Sequence, residues 1–307
     1  MEVSGVEVDL INSVIDAANV KDCGGQTPCA RQPCLNGGLC RELGTKPSDY
    51  ECICQDGFHG NVCEEEEDIC KVIHPCVNGV CVGTGTSYHC DCPLGFKGHH
   101  CDKVAELGDN VRFTGNGYLE LPRELMPHAA VTVKEVVTIH FETTEPNGLI
   151  LWHGQKSDVD GKGHDFFALA VVDGYLEFSY ELGSGFAAIR SSVPVDDGNK
   201  HKVVLKRMGR DGKLQLDDVF TEVGESGGIL QMLNAGGNIY IGGTPKMDFM
   251  TAGRYKVGFS GCIHELEIQD TGSLDFQHTA LGGVNAMACE DDDSDFSSEH
   301  LDNQIHE

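Results

Sequence analysis

The chain has 307 residues, of which 40% are hydrophobic, and its formal net charge is −27. A field of this sign and size disfavours binding to nucleic acid and to anionic membrane surfaces. No run of about eighteen apolar residues occurs, so the sequence predicts no membrane-spanning helix and no membrane insertion.

Cysteine is concentrated in the first third of the chain. Thirteen of the fifteen cysteines lie between Cys23 and Cys101, a density typical of small modules that are stapled by disulfides in an oxidising compartment. We therefore expect a secreted protein. Because the sequence starts with neither a basic segment nor a long apolar segment of the signal-peptide kind, we interpret it as the C-terminal fragment of a longer secreted protein.

Residues 1–23 are predicted to be the remnant of a preceding domain. The segment VDLINSVIDAANVKDC aligns without a gap with LDFQHTALGGVNAMAC near the other end, which places Asn19 on Asn285 and Cys23 on Cys289. The two segments are similar enough to be two copies of the C-terminal segment of a repeated domain. We therefore expect Cys23 to lack a disulfide partner within this chain.

Two cysteine-rich modules follow, at residues 24–64 and 65–102. Each has six cysteines, with one residue between the fourth and the fifth, eight between the fifth and the sixth, and Gly-Phe-x-Gly before the last. Zinc binding is the alternative, since CxC pairs lie near several histidines, but zinc sites use ligands in fours and these cysteines come in sixes. About 35 residues bury little apolar surface, so disulfides are expected to replace a core. Sequence alone leaves fifteen connectivities per module open.

The cysteine spacing resembles that of the EGF-like module, in which the first cysteine pairs with the third, the second with the fourth, and the fifth with the sixth. The resemblance implies the disulfides Cys29–Cys40, Cys34–Cys52, Cys54–Cys63, Cys70–Cys81, Cys76–Cys90 and Cys92–Cys101. Calcium-binding EGF-like modules carry an acidic or amide residue shortly after the third cysteine, where the second module has Gly83. We therefore interpret both modules as structural spacers.

Residues 111–290 are predicted to form a mostly β domain. Short β-branched or aromatic segments such as VTIHFET, LILWHG and HKVVLKR are separated by Gly, Asn, Asp and Pro, and helical periodicity is nearly absent. Many strands with one late pair of cysteines favour a β-sandwich. Residues 103–110 are expected to be a linker, and residues 291–307, which include no Lys or Arg, to be a disordered acidic tail.

The segments EPNGLILWHG, DFFALAVVDGYLEFSYELGSG, NIYIGG and GFSGCIHELEI, in this order, resemble the laminin G-like domain, a jelly-roll β-sandwich. Two EGF-like modules before a terminal laminin G-like domain resemble the end of a perlecan-type basement-membrane heparan sulfate proteoglycan. Adhesion or signalling proteins of the agrin, Slit and neurexin types share these modules and are the alternative. The resemblance implies a disulfide between Cys262 and Cys289, and a role in linking extracellular matrix to cells.

The same resemblance implies one calcium ion in the laminin G-like domain, held by two side chains and two backbone carbonyls from separate loops. The matching side chains are those of Asp165 and Asn234, and the matching carbonyls are those of Leu182 and Met232. Asn234 brings no charge, so we expect weaker binding than at a doubly acidic site. The alternative is that Asp165 caps a strand and Asn234 lies in a turn.

By resemblance, the partners are dystroglycan-type glycans and integrin receptors. A hairpin rich in Lys and Arg adds a candidate surface for sulfated glycans, which it would hold through charge. Its candidate residues are Lys200, Lys202, Lys206, Arg207 and Arg210. The alternative is that these cations are the solvent face of a strand whose Val203 and Leu205 face the core.

Catalysis is the other function class to weigh, because some jelly-roll glycan hydrolases carry paired carboxylates that alternate along a strand. The segment HELEIQD offers Glu265, Glu267 and Asp270. Strand alternation directs Glu265 and Glu267 to solvent. The residues expected to share the opposite face are Cys262, His264, Leu266 and Ile268. The sequence therefore favours a protein that is not an enzyme.

The linker is also a candidate cleavage site. Perlecan-type proteins are cut in this region by tolloid-like metalloproteinases, which favour Asp directly after the scissile bond. The resemblance implies cleavage between Gly108 and Asp109. The alternative is an ordinary short linker with no proteolytic role.

Overall fold

The computed structural model describes residues 2–3, 6–7, 28–44, 46, 48–84, 87–126, 134–155, 165–269 and 271–290. Cys23, Asp270 and the acidic tail after Glu290 lie outside these residues. The described chain falls into two compact units, one of residues up to Ile73 together with Gly83–Tyr88, and the other of His74–Val82 and the residues from His89 onward. None of the described helices has the length and apolar character needed to span a bilayer.

The first unit contains short elements held by disulfides. They are β1 (Glu2–Val3), β2 (Val6–Glu7), a 3-10 turn (Pro28–Arg31), β3 (Leu39–Glu42), β4 (Tyr50–Ile53), β5 (Phe58–His59), β6 (Glu65–Glu66) and α1 (Ile69–Ile73). Three antiparallel pairs form, β1 with β2, β3 with β4 and β5 with β6. The disulfides are Cys29–Cys40, Cys34–Cys52 and Cys54–Cys63. These are the pairs that the EGF-like resemblance implies, and they replace a core because Leu39 and Leu43 stay exposed.

The second cysteine-rich module contributes β7 (Val80–Thr84), β8 (Ser87–Asp91), β9 (Phe96–Lys97) and β10 (Lys103–Val104). The disulfides Cys76–Cys90 and Cys92–Cys101 again follow the expected pattern. Cys70 and Cys81 are both disulfide-bonded as well. In this module Cys90, Cys92 and Cys101 are buried.

The large domain is a sandwich of two antiparallel sheets. The strands are β11 (Val111–Thr114), β12 (Tyr118–Leu121), β13 (Lys134–Glu142), β14 (Gly148–Gly154), β15 (Phe166–Val172), β16 (Tyr175–Glu181), β17 (Phe186–Pro194), β18 (His201–Met208), β19 (Asp211–Leu216), β20 (Phe220–Glu225), β21 (Ile239–Ile241), β22 (Ser260–Ile268) and β23 (Gly282–Val284). One sheet has the order β11, β22, β13, β18, β19, β20, and the other has the order β17, β16, β15, β14, β21, β12, β23. A 3-10 turn (Arg123–Leu125), α2 (Met247–Met250) and α3 (Phe276–Thr279) lie between strands.

The core lies between the two sheets and follows strand alternation. Along β18, Val203 and Leu205 are fully buried while Lys206 is exposed, because successive side chains point to opposite faces of a sheet. Phe141 on β13 and Phe167 on β15 fill the same layer. The prediction of a mostly β sandwich is confirmed.

Strand β22 departs from the expected alternation through a β-bulge. Its pairing with β13 places Glu265 opposite His140 but Ile263 opposite Phe141, so His264 is an extra residue. Cys262 stands opposite Glu142 and therefore shares the outer face with Glu265. The prediction that Cys262 and His264 share the face of Leu266 is wrong, because the bulge reverses the alternation at this point.

The segment 103–110 is packed rather than loose. Ala105 and Leu107 are buried, the backbone N–H of Leu107 donates to Gln277 Oε1 at 2.9 Å, and the N–H of Phe276 donates to the Gly108 carbonyl at 2.8 Å. Gly108 and Asp109 are themselves exposed. The segment that the sequence assigns to a linker therefore packs against the sandwich, and Leu107 belongs to its core.

Asn285 joins the end of the second cysteine-rich module to the sandwich. Its side-chain Oδ1 accepts from the N–H of Cys92 at 2.8 Å, and its Nδ2 donates to Asp91 Oδ1 at 2.9 Å. Its own N–H donates to the Cys92 carbonyl at 2.8 Å, and the Leu94 N–H donates to the Gly283 carbonyl at 3.0 Å. Residues 89–101 are therefore fixed to the last strand of the large domain.

Candidate calcium and glycan site

One rim of the sandwich is assembled from three chain segments. They are the position directly before β15, at Asp165, the turn between β16 and β17 at residues 182–185, and the strand-free segment 226–236. Ser184 Oγ accepts from the N–H groups of Ile229 and Leu230, at 3.2 and 3.0 Å, which joins the second segment to the third. A Cβ on Gly185 would lie 2.4 Å from Gly227, so this close approach requires glycine.

Asp165 lies at the centre of this rim and is only 4% exposed. Its Oδ2 accepts from the backbone N–H of Asn234 at 2.8 Å and from Asn234 Nδ2 at 3.2 Å. Burial raises the pKa of the Asp165 carboxyl, the two bonds from Asn234 oppose that rise, and the charge of Glu181 adds to it. The structure thus brings together the two side chains that the sequence assigns to calcium.

The residues at the rim fit a calcium ion. Within the described chain no donor bonds to the other oxygen of Asp165, Oδ1. Gly183 lies against this oxygen, since a Cβ there would lie 3.0 Å from Oδ1 and 3.4 Å from Leu230 Cδ1. Leu182 and Met232 belong to the two neighbouring segments, and their carbonyls receive no hydrogen bond from any described donor. Carboxylate, amide and carbonyl oxygens are the ligands that calcium prefers.

Arg207 has a different role from the predicted one. It is fully buried, it forms an ion pair with Glu135, and its Nη1 donates to the Gln231 carbonyl at 2.8 Å. The prediction that Arg207 contacts a glycan at the surface is wrong, because its guanidinium lies inside the sandwich. Instead, Arg207 holds the segment that carries Met232 and Asn234.

Two of the other four candidate cations of the hairpin are paired with acids. Lys202 contacts Asp218 at 3.0 Å, and Arg210 forms an ion pair with Glu225. His201 lies between Asp197 and Asp217, at 3.1 and 2.8 Å. Lys200 and Lys206 are exposed and have no ion pair among the described side chains. The hairpin is therefore a weaker surface for sulfated glycans than its composition indicates.

The carboxylates considered for catalysis lie on the outer face of the six-stranded sheet. Glu265 Oε2 contacts His140 Nδ1 at 2.8 Å, and Glu267 stands opposite Thr138. Both face away from the core, as predicted from the alternation with Leu266. Since His140 already engages Glu265, the strand offers no free carboxylate pair across a cleft at these two positions.

Sequence reasoning missed the residues that shape the rim. Gly183, Ser184 and Gly185 lie in the segment ELGSG. Its two glycines could have indicated that another backbone segment packs closely against this turn. Glu181 places a second carboxylate near Asp165. Trp152 is buried in a small cluster with Phe166 and Tyr255 that is separate from the main core.

Three domain models match the chain. A laminin G domain model matches residues 141–273, an EGF-like domain model matches residues 29–62, and a human growth factor-like EGF model matches residues 76–96. The three matches lie in the order that the sequence motifs predict.

Relatives match over most of the chain. It is 34% identical to the basement membrane-specific heparan sulfate proteoglycan core protein of Mus musculus, over 94% of this chain and 8% of that protein. It is 37% identical to the basement membrane proteoglycan of Caenorhabditis elegans, over 74% of this chain and 7% of that protein. Human pikachurin is 33% identical over 85% of this chain and 22% of its own length. The chain thus spans a small part of each relative.

Solved structures show the same fold. The LG1-3 region of the laminin alpha2 chain has a TM-score of 0.51 and 24% identity, covering 61% of this chain and 35% of that one. Domains LG4-5 of the mouse laminin alpha1 chain have a TM-score of 0.51 and 21% identity, covering 60% of this chain and 47% of that one. At these identities the similarity concerns the sandwich fold.

Proposed function

This chain belongs to the extracellular proteins built from EGF-like and laminin G domains that include the basement-membrane proteoglycans, and we propose that its laminin G domain binds cell-surface glycans through one calcium ion. In this proposal the chain links the basement membrane to cells and is not an enzyme. Dystroglycan-type glycans and integrin receptors are the proposed partners.

One observation carries the proposal. The Asp165 carboxylate is buried at the rim and tied to Asn234 through Oδ2, while its Oδ1, which lies against Gly183, accepts no hydrogen bond within the described chain. Burying a carboxylate without a cation is unfavourable, so the arrangement supports a bound metal. Asp165 and Asn234 would hold the ion through side-chain oxygens, and Leu182 and Met232 through carbonyls.

The proposed ligands determine the expected affinity for calcium. With one carboxylate, the site is expected to bind calcium with a Kd of about 10⁻⁴ to 10⁻³ M, a range typical of extracellular modules. Bound calcium would supply a positive centre for the carboxylate and hydroxyl groups of a glycan, on a protein whose net charge is otherwise −27. An acidic protein could in this way bind an acidic sugar.

Calorimetry tests the proposal. Calcium titrated into the unmodified chain should bind one equivalent in the stated range, and Asp165→Asn should abolish the heat of binding and the capture of dystroglycan-type glycan. Asp218→Asn is the matched control, because Asp218 is an exposed acid paired with Lys202, and it should bind as the unmodified chain does. Failure of the unmodified chain to bind calcium at millimolar concentrations would overturn the proposal.

A further inference from the structure

Two cysteines and a histidine lie together beside the outer face of the six-stranded sheet. Cys262, on β22, and Cys289, beyond β23, form a disulfide, and His264 Nδ1 lies 3.5 Å from Cys262 Sγ. The two sulfurs and a ring nitrogen of His264 all lie within 4.8 Å of one another. Once the disulfide is reduced, two thiolates and one imidazole are a ligand set that zinc prefers.

His264 is oriented by the β-bulge and by a carboxylate. It is the extra residue of the bulge in β22, where Cys262 stands opposite Glu142 on β13, and bulges redirect side chains in this way. His264 Nε2 lies 3.2 Å from Glu142 Oε2. A histidine that binds a metal through one ring nitrogen usually donates its other N–H to a carboxylate, which fixes the ring. Nδ1 therefore faces the sulfur, while Nε2 faces the carboxylate.

The backbone holds Cys289 in place independently of its disulfide. Its N–H donates to Asn110 Oδ1 at 2.9 Å, and its carbonyl accepts from Arg112 Nη2 at 3.0 Å. The N–H of Arg112 also donates to the Met287 carbonyl at 2.7 Å. Cys289 Sγ should therefore remain close to Cys262 Sγ when the bond between the two sulfurs is broken.

The two sulfurs differ in accessibility. Cys262 is 1% exposed, whereas Cys289 is half-buried. An attacking thiolate therefore reaches Cys289 more readily, and Cys262 is the sulfur that leaves. A protonated histidine beside a thiolate stabilises it, and a more stable leaving thiolate accelerates exchange. We expect this disulfide to be reduced ahead of the others in the chain.

We propose that this disulfide is a redox-controlled zinc site, in which a dithiol reduces Cys262 and Cys289 and their thiolates then bind Zn²⁺ together with His264 Nδ1. A thiolate of the dithiol attacks Cys289 Sγ, the S–S bond breaks, and its electron pair leaves on Cys262 Sγ. The second thiol of the reductant loses its proton, displaces Cys289 as a thiolate and closes the reductant's own disulfide. Two electrons pass from the dithiol to the cysteine pair, and the two protons of the dithiol go to solvent as zinc binds.

The geometry suits zinc. With Zn–S of about 2.3 Å and Zn–N of about 2.0 Å, tetrahedral ligation places sulfur and nitrogen about 3.5 Å apart. This is the distance between Cys262 Sγ and His264 Nδ1. Water would complete the shell. Calcium prefers hard oxygen ligands and is poorly matched to thiolates, so the ion at this site differs from the ion proposed for the rim.

The zinc site lies at the end of the sandwich opposite the calcium rim. Glu135 marks the rim end of β13, because its partner Arg207 bonds the Gln231 carbonyl. Glu142 ends the same strand, about 23 Å further along at about 3.3 Å per residue. The two sites can therefore be tested independently.

Limited reduction tests the redox step. The full chain is treated with a limiting dithiol without oxygen, freed thiols are alkylated, and the labelled peptides are identified by mass spectrometry. Cys262 and Cys289 should be labelled before any other pair, and His264→Asn should slow their labelling about tenfold, since the leaving thiolate loses its cationic neighbour. A monothiol should leave its adduct on Cys289 and a free thiol on Cys262. Earlier reduction of another disulfide, or an adduct on Cys262, would overturn the proposal.

Metal titration tests the site itself. The chain in which only Cys262 and Cys289 are reduced is freed of dithiol and titrated with Co²⁺, which reports tetrahedral thiolate ligation by its absorption bands, and then with Zn²⁺. One equivalent should bind, and the unreduced chain should show no such bands. His264→Asn should lose the tetrahedral spectrum. Glu142→Ala should weaken zinc binding about ten- to hundredfold, and Glu142→Gln should lose less, because it keeps an acceptor for Nε2–H.

The control is His278→Asn, because His278 is an exposed histidine that also contacts a carboxylate, that of Asp275, at 2.8 Å. It should leave both reduction and zinc binding unchanged. Circular dichroism of the unreduced variants shows whether each is folded, and the two Glu142 variants carry the test if His264→Asn is not. Absence of zinc binding by the reduced chain, or equal zinc affinity in the unmodified chain and both Glu142 variants, would overturn the site.

Discussion

Glu135 and Arg207 stand directly opposite each other on β13 and β18, and their side chains form an ion pair inside the sandwich. Burial raises the pKa of Glu135, and the positive charge of Arg207 opposes that rise. Because Arg207 also donates to the Gln231 carbonyl, this pair connects the core to the segment that carries two proposed calcium ligands.

We expect Glu135→Gln to destabilise the domain by about 3–5 kcal/mol, since it leaves a buried guanidinium without its counter-charge. Urea denaturation measures the loss. The double variant Glu135→Met with Arg207→Met should recover most of the stability, because apolar side chains of similar volume replace a buried ion pair at little cost. The double variant should nevertheless bind calcium more weakly, as the Gln231 carbonyl has lost its donor. A single variant as stable as the unmodified chain would contradict this account of the pair.

Removal of the Asn285 side chain should loosen the junction between the cysteine-rich module and the sandwich. Asn285→Ala leaves the N–H of Cys92 without its acceptor, and an unsatisfied buried donor costs about 1–3 kcal/mol. Hydrogen exchange at the Cys92 amide should accelerate, and denaturation should occur at lower urea.

Asn285 also has a positive φ of 51°, which asparagine tolerates better than alanine. The variant Asn285→Gly removes the side chain and keeps this conformation accessible, so the difference between the Gly and Ala variants measures backbone strain. Unchanged exchange at Cys92 in both variants would show that the side chain does not hold the junction.

The alternation of apolar residues along the strands made the fold predictable from the sequence. The same alternation places Arg207 on the buried face of its strand, although its charge suggests an exposed position. Val203, Leu205 and Arg207 alternate on the inner face of β18, but a Lys- and Arg-rich hairpin is usually solvated. The bulge at His264 has no local sequence signal, since only the pairing with β13 reveals it. Arg254 lies in a loop without periodicity, and Phe186, the ring on which it stacks, is distant in sequence, so only the folded chain brings them together.

The packed segment around Gly108 predicts slow cleavage of the folded chain between Gly108 and Asp109. A protease needs an extended, accessible segment, whereas Leu107 is buried and the Gly108 carbonyl is bonded to Phe276. Leu107→Ala should weaken the packing by about 2–5 kcal/mol. Cleavage by a tolloid-like metalloproteinase should then accelerate about tenfold or more, because the open form is more populated. Leu281→Ala, at an exposed leucine, should leave the rate unchanged, and equal rates for the two variants would refute the packing argument.

Calcium affinity should fall as the pH is lowered, because Asp165 takes up a proton. Burial raises the pKa of this carboxyl above its usual value of 3.8, so protons compete with calcium at a higher pH than at an ordinary aspartate. Below the raised pKa, the apparent Kd should increase about tenfold for each pH unit, since one proton must leave for each ion bound. Calorimetry in buffers of different ionisation heat should show proton release in this range.

The stability of the calcium-free domain should have the opposite pH dependence. Because the folded-state pKa of Asp165 is raised, the folded form holds the proton more tightly than the unfolded form does, and stability falls as pH rises from the usual aspartate value through the raised one. Asp165→Asn should remove this contribution to the slope. Adding calcium at ten times its Kd should restore about 1.4 kcal/mol at neutral pH, visible as a higher melting temperature in the unmodified chain and absent in Asp165→Asn. A calcium-free domain whose stability has the same pH slope with and without Asp165 would show that this carboxyl is not held at a raised pKa.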